Sequence, residues 1–282
     1  MQIIHTVTEL RNALKSQSSI GFVPTMGNLH AGHIHLVALA KQHSKTVVVS
    51  IFVNPLQFGA NEDFGSYPRT FEEDCEKLQS AGAHIVFAPN VSEMYPDFDG
   101  QNLNQSMTIT PPPIADVLCG ASRPGHFTGV ATVVMKLFNI VQPDFAVFGK
   151  KDFQQLFIIR EMVRQFNLQI EIIAGETIRE ASGLALSSRN GYLTADEKAS
   201  AAQLQQCLKH MVQSVQQGNT DFTALTTAAS RTLTEHGWRV DYVAICSADT
   251  LLPAIRGDKT LVALAAAKLG NTRLIDNIDF SC

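Results

Sequence analysis

Residues 46–53, Thr46-Val47-Val48-Val49-Ser50-Ile51-Phe52-Val53, are a nearly unbroken run of apolar and β-branched side chains. A strand with one wet face alternates polar and apolar residues, whereas a run without alternation must be covered on both faces. A parallel sheet between layers of helices meets that condition, and the neighbouring segments repeat the pattern. Residues 20–23 are a short apolar run stopped by Pro24 and Gly27. From His33 to His43 the apolar residues Ile34, Leu36, Val37, Leu39 and Ala40 recur at helical spacing. Residues 70–81 read as a helix closed by Gly82, which can adopt the left-handed C-cap, and residues 85–88 as a strand stopped by Pro89. Later, 130–141 reads as helix, 145–148 as strand, 152–166 as helix with Asp152 near its start, and 170–174 as strand. The expected fold class is α/β, a Rossmann-like parallel sheet flanked by helices, with ligands gathered at the carboxyl ends of the strands.

Two stretches break the rhythm. Between Ser92 and Pro124 lie Pro96, Gly100, Pro111-Pro112-Pro113 and Gly120, and a loop this long inside a domain is usually functional or mobile. Beyond Arg179, residues 195–217 and 220–236 read as two helices, followed by strands at 240–245 and 261–265. Helices followed by strands predict a second, smaller α+β C-terminal domain. The expected division is 1–175 for the Rossmann-like domain and 176–282 for the smaller one, which would close over the site.

Apolar residues make up 45% of the chain and charged residues 17%, ample for a packed core. A formal net charge of −4 argues against a general nucleic-acid or membrane-surface binder, whose affinity rests on excess positive charge. A local basic pocket for a small anion stays open. The five cysteines are scattered, without a Cys-x-x-Cys pair, so neither a disulfide framework nor a zinc ribbon is expected. No apolar run is long enough to span a bilayer, and no basic stretch precedes one at the N-terminus. A cytoplasmic location is therefore expected.

Several familiar signatures are missing. No two glycines stand two residues apart, which removes the G-x-G-x-x-G dinucleotide fingerprint. Gly27 and Gly32 have P-loop spacing, but His33-Ile34 follows instead of Lys-Ser/Thr. Neither a G-x-S-x-G elbow nor an H-E-x-x-H helix is present. In the first strand–helix turn stands Pro24-Thr25-Met26-Gly27-Asn28-Leu29-His30-Ala31-Gly32-His33. Gly27 suits a tight turn, and Gly32 opens a helix whose free amides face any anion on its axis. Two imidazoles three residues apart can both reach that anion. Alone, such a pair reads as well as two surface histidines or, with His35, half a metal site; its place between strand and helix favours phosphate.

His30-Ala31-Gly32-His33 resembles the His-x-Gly-His signature of class I aminoacyl-tRNA synthetases and nucleotidylyltransferases. The longer string is similar to the pantothenate synthetase (pantoate–β-alanine ligase) family. Agreement extends through Ser50-Ile51-Phe52-Val53-Asn54-Pro55-Leu56-Gln57-Phe58, Tyr67-Pro68-Arg69-Thr70 and Arg123-Pro124-Gly125-His126-Phe127. It continues in Phe148-Gly149-Lys150-Lys151-Asp152-Phe153-Gln154-Gln155-Leu156 and Leu186-Ser187-Ser188-Arg189-Asn190, and more weakly to Leu274-Ile275-Asp276-Asn277. The resemblance implies a two-step reaction: (R)-pantoate and ATP give pantoyl adenylate and pyrophosphate, and β-alanine then takes the acyl group and releases AMP. It also implies Mg²⁺, a homodimer, and no nucleic-acid or membrane partner.

Residue by residue, the resemblance makes His33, His30, Lys151 and Arg189 the catalytic candidates, with His33 the family's proposed proton donor. Contacts to ATP would come from Met26, Gly27, Asn28, Leu29, His30, Ala31, Gly32 and His33. Gly149, Lys150, Lys151, Asp152, Ile178, Leu186, Ser187, Ser188 and Arg189 would complete them. Gln57 and Gln155 would hold pantoate, with Asn54, Tyr67, Arg123 and His126 in the same pocket; no metal ligand is singled out. The chemistry agrees, because a carboxylate needs no general base to attack phosphorus. Its obstacle is the repulsion between an anion and a polyanion, which aligned donors and cations relieve. Bland readings stay open: Lys150-Lys151 as a solvated pair, Arg123 as an anchor of its own loop, Ser-Ser-Arg-Asn-Gly as ordinary turn chemistry. Other adenylate-forming enzymes of the superfamily, or a catalytically silent nucleotide-binding regulator, are the alternatives. The chain departs from the family pattern at Lys150, Ala31 and Cys119, and Cys119 would then confer sensitivity to thiol reagents.

Overall fold

The computed structural model describes residues 1–59 and 64–282. They form two compact units, one of residues 1–149 with 155–176 and one of residues 150–154 with 177–282.

The first unit is a six-stranded, all-parallel sheet with helices on both faces. In chain order its elements begin β1 (Gln2–Ile4), α1 (Val7–Leu14), β2 (Ile20–Thr25), α2 (Ala31–His43), β3 (Thr46–Ile51), α3 (Phe71–Ala81) and β4 (Ile85–Phe87). They continue through α4 (Val91–Met94), α5 (Cys119–Ser122), α6 (His126–Val141), β5 (Phe145–Gly149), α7 (Phe153–Gln165) and β6 (Glu171–Gly175). The strand order β1-β4-β3-β2-β5-β6 makes the chain wind outward in opposite senses from β2 and β5. The apolar run that opened the argument is covered twice. Val47 and Val49 pack with Val37, Ala40 and Leu78 on one side of the sheet, and Val48 with Phe22, Phe87 and Phe138 on the other. Alternate residues of one strand thus enter two different cores.

Pro24 shapes the centre of the sheet. Ile20 exchanges bonds with Asp144 on the β5 side, the backbone N–H of Asp144 donating to the Ile20 carbonyl, so by parity residues 20, 22 and 24 face β5. Proline has no N–H to donate, and the β2–β5 register covers only Gly21–Phe145 and Phe22–Ala146. The β2–β3 ladder runs all the way to Thr25–Ile51. The carboxyl ends of β2 and β5 are thereby released from each other at the point where strand order reverses, the place where such sheets bind ligands.

The elements foreseen from sequence are present, with shifted ends. β3 stops at Ile51 rather than residue 53, because Asn54 and Pro55 turn the chain into a 3₁₀ segment, Pro55–Gln57. α2 starts at Ala31, two residues early, and α6 at His126, four residues early. The strand β1 and helix α1, both short and half exposed, carried no pattern strong enough to read. Part of the 92–124 stretch is anchored, with Phe98, Leu103 and Ile109 packed on the first core.

The second unit holds α8 (Ala195–Ser200), α9 (Gln203–Gln216), α10 (Phe222–Glu235), β7 (Arg239–Ser247), β8 (Thr260–Leu269) and β9 (Thr272–Ser281). Its strands form an antiparallel sheet in sequence order. The single helix expected over 195–217 is two, parted at Ala201 and Ala202. Leu208, Leu233 and Trp238 fill the core between α9, α10 and the sheet, and the Trp238 indole donates to Gln203. β9 was not anticipated, because Arg273, Asp276, Asn277 and Asp279 interrupt its apolar residues. Those polar residues matter below. Among the described residues, no helix is long and apolar enough to cross a membrane.

Candidate active site

The loop between β2 and α2 is held from both ends. Thr25 Oγ1 accepts the Gly27 N–H at 3.2 Å and donates to the Ser50 carbonyl at 2.7 Å. Gly27 and Asn28 both adopt positive φ, 85° and 51°, a reversal that glycine and asparagine tolerate best. The backbone N–H groups of Asn28 and Leu29 then donate, each at 2.7 Å, to the two carboxylate oxygens of buried Asp74 on α3. Lys77, one turn later, donates to the Leu29 carbonyl at 3.0 Å and stands 3.8 Å from Asp74. Sequence reading missed this clamp. Glu72, Glu73 and Asp74 all sit in the first turn of α3, and only burial separates Asp74 from an ordinary acidic helix start.

Asp74→Asn keeps the volume but sets an amide NH₂ against a backbone N–H. Losing a hydrogen bond to a buried charge is expected to cost about 1.5–3 kcal/mol. In a chain of this size that lowers the melting temperature by several degrees, measurable by calorimetry; an unchanged melting temperature would remove Asp74 from the clamp.

The two histidines cap α2 reciprocally. His30 is the N-cap, and its Nδ1 accepts the Gly32 N–H at 3.1 Å; His33 Nδ1 accepts the His30 N–H at 3.3 Å. Their ring centroids lie 4.1 Å apart. A nitrogen that accepts from an amide carries no proton, so both rings are held as the Nε2–H tautomer. Each is thereby a neutral donor through Nε2 at a helix N-terminus, and protonation at Nδ1 would set N–H against N–H. A Cβ at position 32 would lie 2.8 Å from His30 Cε1, so any larger residue there would push the imidazole out of its capping position.

A second network gathers five expected residues. Asn54 is buried; its Nδ2 donates to Gln57 Oε1 at 3.0 Å and to the Gly129 carbonyl at 3.2 Å, while its Oδ1 accepts from the Leu56 N–H and Tyr95 OH. This fixes which end of the Gln57 carboxamide is which. Gln57 Nε2 is left as the donor end and lies 3.2 Å from Met26 Sδ. His126 Nδ1 donates to the Gln57 carbonyl at 2.9 Å, so its Nε2 accepts from Arg123 Nη1, also at 2.9 Å. Met26, Asn54, Gln57, His126 and Arg123 are therefore one hydrogen-bonded group. Within it Asn54 and His126 each donate one hydrogen bond to Gln57, and their remaining polar atoms engage Gly129, Leu56, Tyr95 and Arg123. Arg123 reaches this group through His126 on the first turn of α6.

Tyr67 is buried and packs edge-on against Phe58, ring centroids 6.0 Å apart. Gln155 is half buried on α7, and its side chain makes no hydrogen bond to a described residue. Gly149 ends β5. Burial raises the Tyr95 phenol far above its ordinary range, which keeps it a neutral donor to Asn54. Cys119 is buried at the start of α5, so a thiol reagent reaches it only after local opening.

The remaining expected residues belong to the second unit. Lys150, Lys151 and exposed Asp152 form a 3₁₀ turn. Lys150 Nζ pairs with Asp279 at 2.9 Å, whereas the Lys151 ammonium has no ion pair among the described residues. The departure at Lys150 is thus compensated locally. Ile178 and Leu186 face each other, the Leu186 N–H donating to the Ile178 carbonyl at 2.9 Å. Ser187 caps the turn of Ser188 and Arg189, its Oγ accepting the Arg189 N–H at 3.2 Å. Among the described residues no group of three or more His, Cys, Asp or Glu side chains is placed to hold a metal ion.

Comparison with known proteins identifies the family. The family model described as pantoate-beta-alanine ligase matches residues 2–279. A pantothenate synthetase of Methylobacillus flagellatus is 66% identical over 281 residues, covering 100% of this chain and 99% of its own. A pantothenate synthetase of Thermus thermophilus has a crystal structure with TM-score 0.92 and 43% identity, covering 99% of each chain. A pantoate-beta-alanine ligase of Francisella tularensis, crystallised with beta-gamma ATP and beta-alanine, is 34% identical with TM-score 0.77 over 99% of this chain and 97% of its own. This chain belongs to the pantoate–β-alanine ligase family, the pantothenate synthetases, and is a ligase.

Proposed function

We propose that this ligase works through an acyl adenylate. A pantoate carboxylate oxygen attacks the α-phosphorus of ATP, the bond to the β-phosphate oxygen breaks, and pyrophosphate leaves with the electron pair. The β-alanine amine, having lost its proton, then attacks the acyl carbon, and AMP leaves as pantothenate forms. The observation that carries the reading is the Gln57 carboxamide. Its Oε1 is held by Asn54, and its Nε2 donates toward the Sδ of Met26, the first residue of the loop that bears His30 and His33. One rigid unit thus offers a donor for the acid's carboxylate or hydroxyls beside a helix N-terminus suited to phosphate.

In this reading His30 and His33 donate through Nε2 to phosphate oxygens, so the site gains donors aligned on developing charge without reorganising. Lys151 supplies a cation that no described carboxylate engages, and Ser187, Ser188 and Arg189 follow the departing pyrophosphate. Gln155, which has no partner to give up among the described residues, holds pantoate together with Gln57. Mg²⁺ fits as a companion of the triphosphate rather than as a caged ion, since it is commonly held by substrate phosphates and water. Asp74, the buried carboxylate at the loop, is committed to two amides. Exclusion of water belongs to the reading, because an acyl adenylate hydrolyses. A homodimer and a cytoplasmic location are part of the same proposal on the resemblance alone, and light scattering reads the first.

The test is AMP release with pantoate, β-alanine and ATP omitted in turn, beside ATP–pyrophosphate exchange. Exchange should require pantoate but not β-alanine, whereas AMP release should require all three; exchange without pantoate would overturn the adenylate route. In the same assays Gln155→Ala is expected to raise the pantoate KM about tenfold or more while leaving the ATP KM nearly unchanged, as for a lost ground-state contact. Equal shifts in both would take Gln155 out of the acid pocket.

A further inference from the structure

The turn that carries Lys151 follows β5 directly in sequence, yet residues 150–154 pack with the second unit. β9 explains why. Asn277 Nδ2 donates to the carbonyls of both Lys150 and Lys151, at 2.9 and 2.8 Å. Two residues on, and so on the same face of the strand, Asp279 takes the Lys150 ammonium at 2.9 Å. Asn277 is itself fixed from behind. Its N–H donates to Asp276 Oδ1 at 2.7 Å and its carbonyl accepts from Arg179 Nη2 at 3.2 Å. Arg179 in turn grips the Asp276 carboxylate with both nitrogens, at 2.7 and 2.8 Å. Asp276 and Asn277 are buried although both are polar, and every one of these bonds leads toward the 150–151 backbone.

The consequence is asymmetric for the two lysines. Both have their carbonyls tied down, but Lys150 also has its charge neutralised by Asp279. Lys151 is fixed at its root with an ammonium that no described carboxylate engages. Two carbonyls facing one side-chain nitrogen admit only a donor at that position. Aspartate would place a charged oxygen against them, and a shorter side chain would not span to both.

We infer that Asn277 is a positioning residue for Lys151: through the Lys150 and Lys151 carbonyls it sets where the phosphate-directed ammonium stands. The inference rests on the reading that Lys151 acts on the nucleotide phosphates, and the experiment separates the two. Asn277→Ala and Asn277→Ser are made first, and the variant that melts within a few degrees of the parent is carried forward with Lys151→Ala and the double variant. Kinetics of pantoate-dependent ATP–pyrophosphate exchange are then read against ATP and against pantoate.

A displaced ammonium is expected to reduce exchange by about ten- to a hundredfold, with the ATP KM raised and the pantoate KM unchanged. The double variant should be no worse than Lys151→Ala alone, since Asn277 acts only through that side chain. Deuterium uptake should rise over residues 150–154 and not over β2. If Lys151→Ala leaves exchange intact, the reading of Lys151 fails. If Lys151→Ala is slow but the Asn277 variant is normal, or the two losses multiply, the inference fails. It also fails if neither Asn277 variant folds, because Asn277 would then be a fold residue.

Discussion

His33→Ala is expected to cut pantoate-dependent ATP–pyrophosphate exchange by roughly 100- to 1,000-fold, the scale seen when one preorganised donor to a developing charge is removed. The structure ties two losses to this one side chain. Nε2 disappears as a donor, and Nδ1 no longer accepts the His30 N–H that completes the cap of α2. The second loss is a stability effect of about 0.5–2 kcal/mol, the usual worth of a cap. That amounts to a melting shift of a few degrees, far too small to account for the kinetic loss. His33→Gln separates the two, because a carboxamide can accept at one end and donate at the other. It should restore most of the melting temperature and part of the exchange. Near-parental exchange in His33→Ala would remove the imidazole from the chemistry.

Gly129→Ala should be nearly as damaging, by a different route. A Cβ on Gly129 would stand 2.4 Å from the Leu56 carbonyl oxygen and 2.6 Å from Gln57 Cα. These are backbone atoms and cannot swing aside, so either α6 or the Pro55–Gln57 turn must shift. Overpacking of this kind costs about 2–3 kcal/mol and outweighs the ~1 kcal/mol of helix propensity that alanine gains over glycine. The melting temperature should drop by several degrees. The pantoate KM should rise at least tenfold, because the displaced turn carries Gln57 and the Gly129 carbonyl is one of the anchors of Asn54. Gly65, whose Cβ would meet no atom of a described residue within 4 Å, is the control, and Gly65→Ala should be neutral. An unchanged pantoate KM in a destabilised Gly129→Ala would show that the turn does not position the acid.

Both predictions concern residues that a sequence reading weights very differently. His33 is visible because imidazole is rare and its spacing from His30 is distinctive. Gly129 is one small residue in an apolar helix, and its reason for being glycine lies in a turn more than seventy positions away. Asn54 and His126 show the same limit. Their residue types suggested a polar pocket, and the structure commits both to orienting Gln57. Asp74 and Lys77 escaped notice because an acidic first turn and an i,i+3 ion pair are ordinary features of exposed helices; burial alone gives Asp74 its task.

What the sequence determined by itself was the layered α/β architecture, because a strand without alternation cannot rest with one face in water. It also determined the family and the side chains that carry charge or hydrogen-bonding capacity, since those are properties of residue types at short spacing. Only the tertiary structure decided the tautomers of His30, His33 and His126, the facing of the Gln57 carboxamide, and which of two adjacent lysines is paired with a described carboxylate. His126 and Lys150 depend on partners from distant parts of the chain, Gln57 and Asp279, whereas His30, His33 and Gln57 depend on near neighbours that the folded turn aims at them. A hydrogen bond is felt over about 3 Å in space, whatever separation the sequence records.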